Sequence, residues 1–309
     1  MSKVGIVGAG LIGRAWAIVF ARAGFHVAIW DGDPKALNAS LGTIKDRLDD
    51  LRNAGLVDDP DAVLRQIEPR STLQEAIGGA EYVQENLPET VEIKRRIFAE
   101  MDGLAPGDAI LASSTSSIPA SAFTESLQGR ARCLVAHPVN PPYLIPVVEL
   151  CGAPWTVPDT VARTRALMER AGQAPVTVQR EIQGFILNRL QGALLNEAFR
   201  LVEDGYVTPD DLDKTIAHGL GLRWSFMGPF ETIDLNAPGG VRDYCERYGP
   251  LYYDIAKQQA DPRPWRRVID RVEADRNKVL PRSSLAERQT WRDRRLMALA
   301  AHKRKMEEA

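Results

Sequence analysis

The stretch VGIVGAGLIG, residues 4–13, constrains this chain more than any other feature. Apolar residues and glycine run from Val4 to Val7, and Gly8, Gly10 and Gly13 then complete a G-x-G-x-x-G pattern. Leu11 to Ala23 reads as a helix: Ile12, Ala15, Trp16, Val19 and Phe20 recur at helical spacing and Gly24 stops the run. A second strand, His26 to Trp30, ends on Asp31. The first glycine permits the tight turn, the second lets the backbone approach a pyrophosphate, and the third lets helix pack on strand. The N–H groups of Leu11 and Ile12, at the helix start, then face the phosphates. Asp31, 18 residues beyond Gly13, stands where an acid accepts hydrogen bonds from an adenosine ribose, and its charge opposes a 2′-phosphate. The pattern therefore predicts a bound dinucleotide, NAD over NADP. This motif alone leaves FAD open.

Further strand candidates at Glu81–Glu85, Asp108–Ala112, Arg132–Ala136 and Pro175–Val178 alternate with helices at Thr90–Met101 and Pro158–Ala171. That alternation predicts a mostly parallel sheet with right-handed crossovers. Pro34 to Arg70 reads as an antiparallel helical pair. Leu37, Leu41, Ile44, Leu48 and Leu51 keep a 3–4 spacing, broken at Asn53-Ala54-Gly55. From Phe185 onward the pattern is helical, and residues 284–309 read as a charged, solvated terminal helix. The expected fold class is α/β. A Rossmann-like NAD-binding domain covers 1–183, with the helical pair at 34–70, and an all-helical C-terminal domain covers 184–309.

A net charge of -2 disfavours nucleic acid or an anionic membrane as the main partner. Three separated cysteines, Cys133, Cys151 and Cys245, make no disulfide framework. The opening residues show no signal-peptide pattern, and no window reaches the roughly 18 apolar residues of a membrane span. The expectation is a cytoplasmic protein. No HExxH and no Cys–His ligand spacing occurs, so no metal is expected. No GxSxG elbow supports a serine hydrolase.

Residues 136–150, AHPVNPPYLIPVVEL, carry one of only four histidines. His137 falls at the C-terminal edge of a predicted strand, where ligands of parallel sheets sit. An imidazole is the side chain suited to proton transfer at neutral pH. Glu149 lies in a β-like run that Pro141 and Pro142 can fold back beside it, and a carboxylate on the second ring nitrogen would hold the tautomer. On residues alone two readings stand: an acid–base dyad, or a core histidine with an unrelated surface glutamate.

VGAGLIGRAW, AHPVNPP with Glu149, GFILNRLQ at 184–191 and GLGLRWSFMGPFE at 219–231 together resemble the L-3-hydroxyacyl-CoA dehydrogenase superfamily. AHPVNPPY and LVEDG are most similar to its lambda-crystallin and L-gulonate 3-dehydrogenase branch, and the likeness runs from residue 3 to about 260. The resemblance implies an NAD-dependent enzyme that oxidises the 3-hydroxyl of an L-3-hydroxy acid. It implies His137 as general base and Glu149 as its orienting acid, with Ser116 and Asn188 holding the reacting oxygen and Asn140 against the same pocket. Glu89 and Lys94 are implied at the nicotinamide and its ribose, and a homodimer through the helical domain. Asn86 and Leu87 depart from the alanine and aliphatic residue more usual before Pro88. Acyl-CoA members hold CoA on a lysine-rich helical pair, whereas residues 34–70 here carry six bases against seven acids. The 219–231 string is also longer than theirs and brings in Arg223 and Trp224. An arginine suits a free carboxylate, although an interface role fits it equally. The favoured substrate is thus a small free acid, L-gulonate foremost. L-carnitine and 3-hydroxybutyryl-CoA are the alternatives, and a crystallin-like structural protein or NAD-binding sensor is the non-enzymatic one.

Overall fold

The computed structural model describes residues 2–307, which fall into two units. The first holds the chain to Asn188 and again from Trp291; the second is Arg189–Thr290. The sheet of the first unit comprises β1 (Lys3–Val7), β2 (His26–Trp30), β3 (Ile67–Pro69), β4 (Tyr82–Glu85), β5 (Ile110–Ser113), β6 (Cys133–Pro138), β7 (Val147–Gly152) and β8 (Ala174–Val178). Their order is β3-β2-β1-β4-β5-β6-β7-β8. Every neighbouring pair is parallel except β6 and β7. Between β1 and β4 the strand order reverses, which opens a crevice above their carboxyl ends.

The period-2 alternation of each strand sorts side chains onto two covered faces. Val4, Ile6, Val27, Ile29, Ile110, Ala112, Leu134 and Ala136 enter one core with α1 (Leu11–Arg22) and α2 (Pro34–Asn53). Val7, Ala28, Val83, Leu111, Cys133 and Val135 enter the other, against helices that follow α3 (Pro60–Leu64): α4 (Leu73–Ile77), α5 (Val91–Leu104) and α6 (Ser121–Thr124). α7 (Pro158–Arg170) returns to the first face with Leu167 and Met168.

Two expectations require correction. The helical pair at 34–70 is one long helix, α2, and one five-residue helix, α3, after which Ile67–Pro69 forms the edge strand β3. Asp59 caps α3 by accepting from Ala62 N at 2.9 Å, and Pro69 is tolerated in β3 because an edge strand leaves one side of its ladder unpaired. The terminal helix is also more than a solvated appendage. Its residues from Trp291 cluster with the sheet unit rather than with the helical one, and Met297, 3% exposed, joins the first core with Leu296 beside it.

The second unit contains most of α8 (Leu187–Glu203), then α9 (Pro209–Thr215), α10 (Gly221–Trp224), α11 (Pro229–Asp234), α12 (Gly240–Gln258), α13 (Ile269–Val279) and the start of α14 (Leu285–Glu307). A π-helical turn at Ile216–Leu220 joins α9 to α10. Among the described residues no helix is long and apolar enough to cross a membrane.

Candidate active site

The glycine turn is fixed by close contacts. Gly8 has φ +98°, a left-handed conformation that glycine adopts without strain. A Cβ on Gly13 would stand 1.8 Å from the Gly8 carbonyl oxygen, so only glycine lets α1 approach β1 this closely. A Cβ on Gly10, in contrast, would meet nothing within 4 Å. No side chain caps α1, and its first turn holds no acid. The amides at Gly10, Leu11 and Ile12 therefore end a 12-residue helix with its partial positive charge uncompensated by the protein. Asp31 closes β2: Oδ2 accepts from Ala9 N at 2.7 Å and Oδ1 from Asp33 N at 2.8 Å. Each oxygen keeps a lone pair for a ribose hydroxyl. This donor and acceptor set fits NAD, with the amides toward its pyrophosphate and Asp31 toward its adenosine ribose.

The polar run Ser113-Ser114-Thr115-Ser116-Ser117 ends β5 and continues beyond it, with Ser113 donating to Glu85, Ser114 to Asn86, and Thr115 and Ser117 to Glu89. Glu89 gathers the loop: its Oε1 accepts from Thr115 Oγ1 (2.5 Å), Ser116 N (2.9 Å), Ser117 N (3.1 Å) and Ser117 Oγ (3.3 Å). Burial pushes the Glu89 carboxyl up, but the Thr115 hydroxyl, the Lys94 ammonium and the Ser117 and Ser116 amides outweigh it and hold the group below its ordinary range. The Ser116 carbonyl accepts from Asn188 Nδ2 at 2.8 Å, so this peptide is clamped at both ends while its side chain stays exposed.

Lys94, expected at the cofactor surface, is 1% exposed. Its ammonium is 3.0 Å from Glu85 Oε2, 3.2 Å from Ser113 Oγ and 3.7 Å from Glu89. The ammonium thus lies beneath the loop, and Glu89 is the charged group at the surface.

Sequence reasoning missed Glu85 and a second buried network around Ser114. The Ser114 hydroxyl accepts from Trp16 Nε1 (3.0 Å) and Gln84 Nε2 (2.7 Å) and donates to Asn86 Oδ1 (2.7 Å). Gln84 also donates to the Ala136 carbonyl, immediately before His137, at 3.1 Å. Asn86 donates to the carbonyls of Val7 (3.3 Å) and Gln84 (2.9 Å), which accounts for its departure from alanine. The available signal was Gln84-Glu85-Asn86, three polar residues ending an otherwise apolar strand.

His137 and Glu149 are register partners across the antiparallel β6–β7 pair. His137 Nδ1 is 2.8 Å from Glu149 Oε2, and the residues are 6% and 2% exposed. Glu149 Oε1 accepts from Ile186 N (2.8 Å) and Leu187 N (2.9 Å) at the start of α8. A carboxylate that takes two amides on one oxygen is the acceptor on the other, so Nδ1–H donates and Nε2 keeps its lone pair. Burial pushes the Glu149 carboxyl up, but the His137 hydrogen bond and the Leu187 and Ile186 amides hold it below its ordinary value. The Phe185 ring lies 5.6 Å from the imidazole, centroid to centroid.

The remaining candidates are more scattered. Asn140 is exposed, and its peptide bond to Pro141 is cis. It lines a cavity with α1, α2 and Tyr143, and among the described residues it makes no hydrogen bond to His137 or Ser116. Arg223 and Trp224 end α10 in the second unit, both exposed.

Residues 3–182 match the 3-hydroxyacyl-CoA dehydrogenase NAD binding domain and residues 184–277 the C-terminal domain of the same family. The chain is 42% identical to lambda-crystallin of Oryctolagus cuniculus over 98% of this chain and 96% of that protein. It is 35% identical to L-carnitine dehydrogenase of Streptomyces coelicolor over 94% and 92% of the two chains. Among solved structures, an NAD+-dependent 5-formyl-3-hydroxy-2-methylpyridine 4-carboxylic acid 5-dehydrogenase is similar at TM-score 0.74 and 32% identity, covering 82% of this chain and 81% of that one. These matches make the chain a member of the 3-hydroxyacyl-CoA dehydrogenase family and an NAD-dependent dehydrogenase.

Proposed function

We propose that the chain oxidises the 3-hydroxyl of a small free L-3-hydroxy acid, with L-gulonate as the substrate. The observation that carries the reading is the 2.8 Å contact of His137 Nδ1 with Glu149. NAD, when bound, supplies the hydride acceptor. His137 Nε2 takes the substrate hydroxyl proton, and Glu149 stabilises the imidazolium that results. Ser116 donates to or accepts from the reacting oxygen, with its backbone held by Glu89 and Asn188. Arg223 and Trp224 are proposed as substrate contacts from the second unit.

A free acid is supported over a CoA thioester by the charge state of 34–70. Five of its six bases are paired with acids of the same stretch: Lys45, Arg47, Arg52, Arg65 and Arg70. Little positive field remains for phosphates. L-Gulonate is preferred to L-carnitine because identity to the lambda-crystallins, 41–44%, exceeds that to the L-carnitine dehydrogenases, 34–36%.

A homodimer through the helical unit is also proposed. Leu222, Phe226, Phe230, Leu235 and Tyr253 are each more than 60% exposed there, large apolar side chains of the kind that association covers. Light scattering after gel filtration tests it, and a monomeric mass refutes it. NAD reduction measured with L-gulonate, L-carnitine, L-3-hydroxybutyrate and 3-hydroxybutyryl-CoA tests the substrate. The highest kcat/KM is expected for L-gulonate, and turnover of the thioester alone refutes the free-acid reading.

A further inference from the structure

Resting on the assignment of His137 as general base, we infer that the Glu85–Lys94–Glu89 triad tilts cofactor affinity toward NAD+ over NADH, by holding one uncompensated negative charge beside the nicotinamide ring. Glu89 thereby holds the cofactor before hydride transfer and loses that hold once the ring is neutral. Product release limits turnover in many enzymes, so a hold that the reaction itself switches off is useful.

The strand order locates the ring. Asp31 ends β2 on the adenosine side, and the open start of α1 follows β1 and faces the pyrophosphate. His137 lies at the end of β6, and β4 and β5 stand between β1 and β6 in the sheet. A dinucleotide that reaches from Asp31 to His137 therefore passes over the carboxyl ends of β4 and β5. Glu89 and the serine loop occupy those ends. On one side, a Cβ on Gly8 would stand 3.0 Å from the Asn86 carbonyl oxygen, so the segment that leads to Glu89 abuts the glycine turn. On the other, Glu89 accepts from Ser116 N and the Ser116 carbonyl accepts from Asn188. The adjacent Leu187 amide donates to Glu149, the partner of His137. Glu89 thus stands between the turn and the dyad.

The charges do not cancel there. Glu85 and Lys94 are 0% and 1% exposed, and the ammonium is 3.2 and 3.0 Å from the two Glu85 oxygens. That pair is neutral as a unit, which leaves the triad with the single negative charge of Glu89. Glu89 Oε1 takes all four loop donors, whereas Oε2 has no hydrogen bond among the described residues and lies 3.7 Å from the Lys94 ammonium. The Glu89 side chain is 40% exposed, so it is the member of the triad open to a ligand. Among the described residues no other lysine or arginine lies within 4.0 Å of it. Neutral donors favour the ionised carboxyl without cancelling its charge. The oxidised nicotinamide ring carries one positive charge that the reduced ring lacks, while phosphates, riboses and adenine are common to both forms. Glu89 therefore acts on the difference between them, worth about 3- to 10-fold in affinity for opposite charges in a solvent-open pocket.

Glu89→Gln isolates the charge. Its carbonyl oxygen can keep the four loop donors, and its NH2 takes the position where Oε2 makes no hydrogen bond. Dissociation constants for NAD+ and NADH are measured by calorimetry, without substrate, at about 0.01 M and about 1 M salt, between which the screening length falls about tenfold. At low salt Glu89→Gln is expected to raise Kd for NAD+ about 3- to 10-fold and Kd for NADH less than about twofold. In wild type the ratio of the two constants should move toward NADH by a similar factor at high salt; in Glu89→Gln it should stay constant. An equal rise in both constants overturns the inference, because it makes Glu89 a strut for the loop and nothing more. A wild-type ratio indifferent to salt overturns it as well, and that measurement decides the matter even if the variant does not fold. Both constants are read without turnover, so they stand or fall separately from the dyad, which the kcat of Glu149→Gln tests.

Discussion

Glu149→Gln is the most informative single perturbation, because the structure leaves a glutamine no harmless orientation. Glu149 Oε1 accepts two amides, from Ile186 at 2.8 Å and Leu187 at 2.9 Å, and Oε2 faces His137 Nδ1 at 2.8 Å. A glutamine that keeps its oxygen on the amides presents an NH2 to the ring. Nδ1 must then become the acceptor, the proton moves to Nε2, and the atom proposed to take the substrate proton loses its lone pair. The opposite rotamer sets an NH2 against two backbone N–H groups, three donors with no acceptor, at a cost of about 1–3 kcal/mol for each unpaired group. The expected loss in kcat is therefore about 10²- to 10⁴-fold, the scale of a positioned acid–base group. KM for NAD is expected to stay near wild type, since Asp31 and the α1 amides are untouched. Steady-state NADH absorbance, with circular dichroism to confirm folding, measures both. A folded variant whose kcat stays within about threefold of wild type would refute the dyad.

Four further outcomes follow from the same coordinates. Gly13→Ala places a methyl group 1.8 Å from the Gly8 carbonyl, so the turn must open; NADH fluorescence titration should show binding weakened by at least about tenfold. Ser114→Ala strips a hydroxyl that accepts two donors and supplies one, and urea denaturation should show about 1–3 kcal/mol of lost stability. Lys94→Met leaves Glu85, 0% exposed, as a buried charge without its partner, and the same assay should lose about 3–5 kcal/mol or report an unfolded chain. Glu89 and Glu149 both have folded-state pKa values below the ordinary 4.5, so the unfolded chain binds more protons as acid is added. Their stabilisation is full above that ordinary value and fades as pH falls through it to the folded value; a melting temperature that rises on acidification below pH 4.5 would contradict the sign.

The nucleotide half of the molecule was legible in the residues because its constraints are local. Gly8, Gly13 and Asp31 act through a turn, a close approach and a strand end, all within one βαβ unit. The strands of the sheet were also readable, since burial on both faces demands short runs of branched residues. The helix resumed at Asp61 as its spacing suggested, but the edge strand Ile67–Pro69 was missed because three residues directly after a five-residue helix are too few to establish a period. The fate of the last helix was hidden for another reason. Among the described residues of this charged helix, Met297 enters the core with Leu296 packed against it, and nothing in their spacing names the partner surface.

By itself, the amino-acid order determined the cofactor, the sheet and the identity of the histidine worth watching. Tertiary structure decided the rest, because it turned on which distant groups share a buried space. The antiparallel turn of β7 made His137 and Glu149 register partners, and the start of α8 polarised that glutamate. Folding sank Lys94 onto Glu85 and sorted the neighbouring hydroxyls of Ser113, Ser114 and Thr115 among Glu85, Asn86 and Glu89. A desolvated charge or hydroxyl must find a partner wherever the chain brings one, and that pairing is a property of three-dimensional neighbours rather than of spacing along the chain.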